Sequence, residues 1–186
     1  LSGMNIVIND IDVPLIIKVA SIPKERIQVY FIDNDEYFAR TGTLFDEQNN
    51  MYPDNDERCI FFAKGIVETV KKLNWLPDII HIHGWVSALL PLYLRTYYKD
   101  EPIFSESKII TSVFDSDYEG ALDASLINKV AFDGISKKTI DPLKNPTYYN
   151  LMRIAIKHSD GVIVVSEDMP DDFKTYLKNL RKPVIY

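Results

Sequence analysis

From residue 56 to its end this chain alternates helical and extended apolar patterns, and nothing else in the sequence restricts the fold as much. Ile60, Phe61, Ala63, Val67, Val70 and Leu73 recur at helical spacing up to Trp75, where Pro77-Asp78 supplies a stop. Asp54 and Glu57 stand in front of that helix at the spacing of an acidic capping box. Ile79-Ile80-His81-Ile82 then reads as a buried strand, and an apolar helix over about 85–98 follows, with a kink predicted at Pro91. Residues 108–113 are a second strand and 122–132 hold a short helix. A helix over 147–158, a strand over 162–165 and a helix over 168–180 complete the series. Helix and strand in strict succession predict an α/β domain, a doubly wound, mainly parallel sheet with helices on both faces.

The first third differs. Residues 4–8, 13–20 and 27–32 are β-rich, with Asn9-Asp10 and Ile22-Pro23-Lys24 as turn chemistry, so they predict neighbouring, hairpin-linked strands. Residues 33–55 are polar and keep neither period, which predicts a long loop of the kind that often carries function. Neither the start at Leu1 nor the end at 182–186, which reads as a strand beginning, looks like a natural boundary; both are expected to be cuts through a larger protein.

With 186 residues, 46% of them apolar, the chain can bury one core. Its net charge of -6 and its interleaved basic residues argue against a nucleic-acid partner, because phosphate binding needs clustered Lys and Arg. No apolar run approaches the roughly 20 residues that span a bilayer, so no membrane contact is expected. Cys59 is the only cysteine, which rules out an internal disulfide and fits core packing in a reducing compartment, here expected to be the cytoplasm. Scattered glycines leave no G-x-G-x-x-G fingerprint and no P-loop, so no cofactor is expected. His81, His83 and His158 lack H-E-x-x-H spacing, so no metal is expected either.

The strongest local signal is the run from Pro77 to Trp85, Pro-Asp-Ile-Ile-His-Ile-His-Gly-Trp. Ligands of parallel sheets collect outside the carboxyl ends of the strands, where His83 and Trp85 would stand. His81 shares a strand face with His83 and is read as a core or supporting residue. Trp85 has two readings, an aromatic wall for a sugar ring or a cap over the core.

This run resembles the His-x-His-Asp-Trp-His segment of bacterial and plant glycogen and starch synthases, and Ala88 to Leu94 resembles the helix after it. Phe31-Ile32-Asp33-Asn34, Tyr37-Phe38, the stretch Tyr-Pro-Asp-Asn-Asp-Glu-Arg over 52–58, and Phe61-Phe62 resemble further family segments in the same order. Ser159 to Ser166 is similar to the family's A-D-x-I-T-A-V-S strand. The resemblance implies one Rossmann-like half of a two-domain GT-B glycosyltransferase, a retaining enzyme that adds glucose from ADP-glucose or UDP-glucose to an α-1,4-glucan. Residues 1–186 would be the N-terminal, acceptor-side domain without its first strand and loop, and the nucleotide sugar would be bound mainly by a C-terminal domain outside this chain. The substrate-binding candidates are His83, Gly84, Trp85, Asp115 and Tyr52, with Tyr37 a further aromatic. Gly84 and Val86 stand where the family has Asp and His around the tryptophan, and Phe114-Asp115 where it has His-Asn. No residue is assigned as catalytic. Asp115 reads either as a polar contact or as a turn cap. The alternatives are a glucan-binding or regulatory domain on the same scaffold, and a glycosyltransferase with another substrate.

Overall fold

The computed structural model describes residues 3–186, so Leu1 and Ser2, the expected internal start, lie outside the described residues. Strands β1 (Met4–Ile8), β2 (Ile11–Ile22) and β3 (Ile27–Asp33) form an antiparallel sheet in that order. The β1–β2 turn puts Asn9 at φ 46° and Asp10 at φ 76°, the left-handed pair that a two-residue hairpin requires and that Asn and Asp tolerate best. Period two then sends Ile6, Ile8, Val13, Leu15 and Ile17 into the core and leaves Val7, Ile16 and Val19 outside.

The loop expected over 33–55 holds one short helix, α1 (Asp35–Phe38), capped by the Asn34 side chain, which accepts from the Tyr37 N–H. Helix α2 (Asn55–Leu73) follows and ends at Asn74, a left-handed cap, rather than at Pro77. Asp54 sits at its N-cap but makes no capping bond. Its carboxylate instead takes both terminal nitrogens of Arg40, at 2.7 and 2.5 Å, because a bidentate guanidinium outcompetes a single backbone donor. Gly65 lets α2 press on the antiparallel sheet, since a Cβ there would lie 2.7 Å from Ile32.

The alternating segment gives β4 (Ile79–Ile82), α3 (Leu90–Arg95), β5 (Lys108–Val113), α4 (Leu126–Phe132), α5 (Tyr148–Lys157), β6 (Gly161–Val164), α6 (Asp171–Lys178) and β7 (Val184–Ile185). The four strands pair in parallel in the order β4-β5-β6-β7, so the chain is an α/β domain with a parallel sheet. The helix expected over 85–98 is a 3-10 turn at Trp85–Ser87 followed by the shorter α3. Pro91 falls in the first turn of α3, where its missing N–H has no helical partner to lose, so it starts the helix instead of kinking it.

One face of the parallel sheet, with Ile82, Ile109, Val113, Val162 and Val164, is buried. On the opposite face Ile79, His81, His83, Val165 and Ile185 are exposed, Ile110 and Ile163 are half-buried, and only Ser112 and Gly161 are covered. Alternation predicted helices on both faces. Right-handed crossovers between strands in strict sequence all pass on one side, and covering both sides takes a reversal of strand order that β4 to β7 do not contain.

Polar side chains join the layers. Lys64 on α2 ion-pairs with Asp133, just after α4, at 2.6 Å and donates to the Val7 carbonyl of β1 at 2.7 Å, while the Tyr93 hydroxyl of α3 donates to Asp133 at 2.6 Å. The Lys64 and Asp133 side chains are 3% and 5% exposed. Removing one member of such a pair strands a buried charge. Asp133→Ala is therefore expected to lower unfolding free energy by about 3–5 kcal/mol in urea titration, and Lys64→Met combined with Asp133→Leu by clearly less.

Candidate functional site

The carboxyl ends of β4, β5 and β6 lie side by side, with Ile82 opposite Thr111 and Val113 opposite Val164. The residues just past these ends form a mouth. His83 is exposed there, its ring centroid 4.1 Å from that of His81 and 6.0 Å from that of Phe114. His81 is exposed as well, and one ring nitrogen lies 2.7 Å from the Ser112 hydroxyl, so it supports the mouth from the open face rather than from the core. Desolvation, and then the neighbouring His83, lower the His81 pKa and favour its neutral ring. Asp115 accepts from the Ser166 hydroxyl, which joins the ends of β5 and β6. Ser166 in turn accepts from the Asp168 N–H at 3.1 Å.

Next to His83 the chain turns at Gly84, with φ 74° and ψ 169°, a conformation that glycine takes readily and other residues do not. That turn brings Gly84, Trp85 and Val86 to the wall of a cleft of about 690 Å³ between the antiparallel sheet and the ends of the parallel one. Phe31, Asp33 and Phe62 line the same cleft, together with Arg58 and Asp117. Trp85 is 6% exposed, its backbone N–H donates to Asp117 at 3.1 Å, and its ring lies 5.8 Å from the Arg58 guanidinium. The burial answers to the core reading of Trp85, and the residue also lines the cleft.

Arg58 organises this wall. Its guanidinium also lies 5.2 Å from the Phe38 ring centre and 5.8 Å from that of Tyr52, and it donates to the Thr43 carbonyl and to Asn55 at 2.5 and 2.6 Å. No carboxylate pairs with it among the described residues, and burial, with Arg40 nearby, lowers its pKa. Tyr52 does not reach the cleft. It is half-buried behind Arg58, and its hydroxyl donates to the Thr41 carbonyl at 2.6 Å. Tyr37 is buried and donates to Glu57 at 2.9 Å.

The structure therefore brings His83, Gly84, Trp85 and Asp115 to one end of the parallel sheet and places Tyr52 one layer back. Asp117, Asp33, Phe31 and Arg58 complete the cleft. Arg58 lay within a segment already singled out in the sequence, whereas Asp117 lay in an aperiodic stretch that carries no signal for it. Rings set beside carboxylates suit a neutral, hydroxyl-rich ligand, whose C–H faces meet the rings and whose O–H groups meet the acids. Among the described residues no group of three or more His, Cys, Asp and Glu could hold a metal ion, and no helix is long and apolar enough to cross a membrane.

Residues 3–181 match the family model described as the starch synthase catalytic domain. The chain is 31% identical over 173 residues to a glycogen synthase of Chlorobium luteolum, covering 89% of the chain and 35% of that protein. It is 34% identical over 157 residues to one of Geotalea uraniireducens, covering 84% and 31%. It thus spans about a third of the length of the curated relatives it matches. Among solved structures it is similar to the catalytic domain of starch synthase IV from Arabidopsis thaliana, bound to ADP and acarbose, with a TM-score of 0.71 and 18% identity over 99% of this chain and 39% of that one.

Because the Trp85 ring is packed in the core, Trp85→Ala is expected to cost roughly 3–5 kcal/mol of stability. Exposed Asp115, changed to Asn, is expected to shift stability by less than about 0.5 kcal/mol. Parallel urea titrations of the two variants check both values.

Proposed function

This chain belongs to the starch synthase catalytic domain family, and on that premise we propose that it is the acceptor-side half of a retaining glucosyltransferase that moves glucose from ADP-glucose or UDP-glucose to an α-1,4-glucan. One observation carries the reading: past the end of β4 the chain goes directly from exposed His83 to Gly84 and Trp85, which line the ring-and-carboxylate cleft. A chain of glucose units needs an open groove of this kind, because each unit binds weakly and affinity grows with length. The ADP and acarbose in the Arabidopsis structure support paired nucleotide and saccharide ligands. The nucleotide sugar is then held mainly by a second, C-terminal domain outside this chain, and the transfer takes place between the two halves. A sugar-nucleotide reaction and a single unpaired cysteine fit the cytoplasm.

A second reading, a glucan-binding or regulatory domain, is favoured by the exchanges at the mouth. Phe114 presents a phenyl ring where the resembling motif has an imidazole, and a phenyl ring cannot hydrogen-bond a transferred sugar. On either reading this chain alone binds glucan without turning it over, because transfer needs both substrates held in one closed cleft. The purified chain, assayed with ADP-glucose or UDP-glucose and glycogen, is expected to show no transfer; turnover comparable with a complete synthase would overturn the half-enzyme reading. The full-length protein in the same assay separates the two readings, with transfer supporting the enzyme and glucan binding alone supporting the module.

A further inference from the structure

We propose that Asp117 is a glucan-binding residue of the cleft, a carboxylate that accepts hydrogen bonds from the hydroxyls of a bound glucosyl unit. The inference rests on the acceptor reading above and adds to it a residue that nothing in the sequence pattern marks.

Three observations place it there. First, Asp117 lines the cleft together with Gly84, Trp85, Arg58 and Phe31. Second, one of its oxygens, Oδ2, is fixed by the Trp85 N–H at 3.1 Å, so the carboxylate is aimed rather than free to swing. An ionised carboxylate has about four lone-pair positions, and one backbone donor leaves most of them for a ligand. Third, the carboxylate is set against the turn at Gly84: a Cβ on Gly84 would lie 3.8 Å from Oδ2. A longer acidic side chain at position 84 would project toward the same spot. The sequence has glycine at 84, where the resembling motif has aspartate, and delivers a carboxylate to this place from residue 117 instead.

The electrostatics select the ligand class. Asp117 forms no ion pair among the described residues, and desolvation raises its pKa, with the Trp85 N–H opposing the shift. The cations of the cleft are engaged elsewhere, Lys18 with Asp33 and Arg58 with rings and carbonyls. An uncompensated carboxylate repels phosphate and accepts well from neutral hydroxyls, in charge-assisted bonds about twice as strong as neutral ones. At this carboxylate a neutral sugar hydroxyl therefore fits better than the nucleotide end of a sugar nucleotide.

The test is a titration of this chain with maltohexaose, read by tryptophan fluorescence and by nuclear magnetic resonance, for wild type, Asp117→Asn and Asp117→Ala, with the melting temperature of each. Asparagine keeps an acceptor for the Trp85 N–H and removes the charge. Both variants are expected to bind about tenfold more weakly, and Asp117→Asn to melt no lower than wild type, because the Trp85 backbone N–H keeps its acceptor. Binding by Asp117→Asn within twofold of wild type would overturn the assignment and leave the acceptor reading standing. A loss of binding that appears only alongside a lowered melting temperature of Asp117→Asn would also overturn it, because it would make Asp117 a structural cap. A wild-type chain that does not bind maltohexaose would remove the acceptor reading and this residue with it.

Discussion

A buried ammonium holds the antiparallel sheet and the helical layer in one arrangement. Lys64 leaves α2 and meets the Val7 carbonyl on β1 and the Asp133 carboxylate after α4, which Tyr93 of α3 also contacts. A lysine 3% exposed is tolerable only with its partners in place, and those partners come from both sides of α2. The network is thus satisfied in one placement of the hairpin sheet against the helical layer. A second pair of contacts, Lys129 to Asp56 and Glu57 at 2.7 and 2.9 Å, repeats the arrangement at the amino end of α2. The cleft depends on this placement directly, because β3 supplies one wall and the turn after β4 the other.

Within that frame the cleft departs from what stability alone would select. Arg58 is buried without an acid, its Nε without a partner, and is held by three rings and two oxygen acceptors. Asp117 faces the cleft with no base paired to it among the described residues. Gly84 takes a backbone conformation that other residues avoid. Features of this kind gather where a ligand, rather than the fold, completes the set of interactions. The open face of the parallel sheet is different in character, since Ile79, Val165 and Ile185 present apolar surface there beside the exposed His81 and His83.

Much of the fold was legible because its signals are local. The period of α2 from Ile60 to Leu73, the apolar run of β4 and the turn residues Asn9-Asp10 each specify their element within a few neighbours. Local signals fail where two of them compete. Asp54 has the spacing of a cap, but Arg40, 14 residues earlier, takes its carboxylate. Pro91 reads as a kink until the preceding 3-10 turn makes it the start of a helix. His81 and His83 share a face as period two requires, yet whether that face is core or surface is set by where the helices cross.

By itself the sequence determined most of the elements, the parallel pairing, the family and the position of His83 and Asp115 past neighbouring strand ends, since each follows from periodicity or from contiguous motifs. Only the tertiary structure decided that Tyr52 stands behind Arg58, that Trp85 is packed in the core beside the cleft, and that one sheet face stays open. It alone placed the Asp117 carboxylate against Trp85, 32 residues away, because the aperiodic segment after β5 carries no pattern and its course is set by what it packs on.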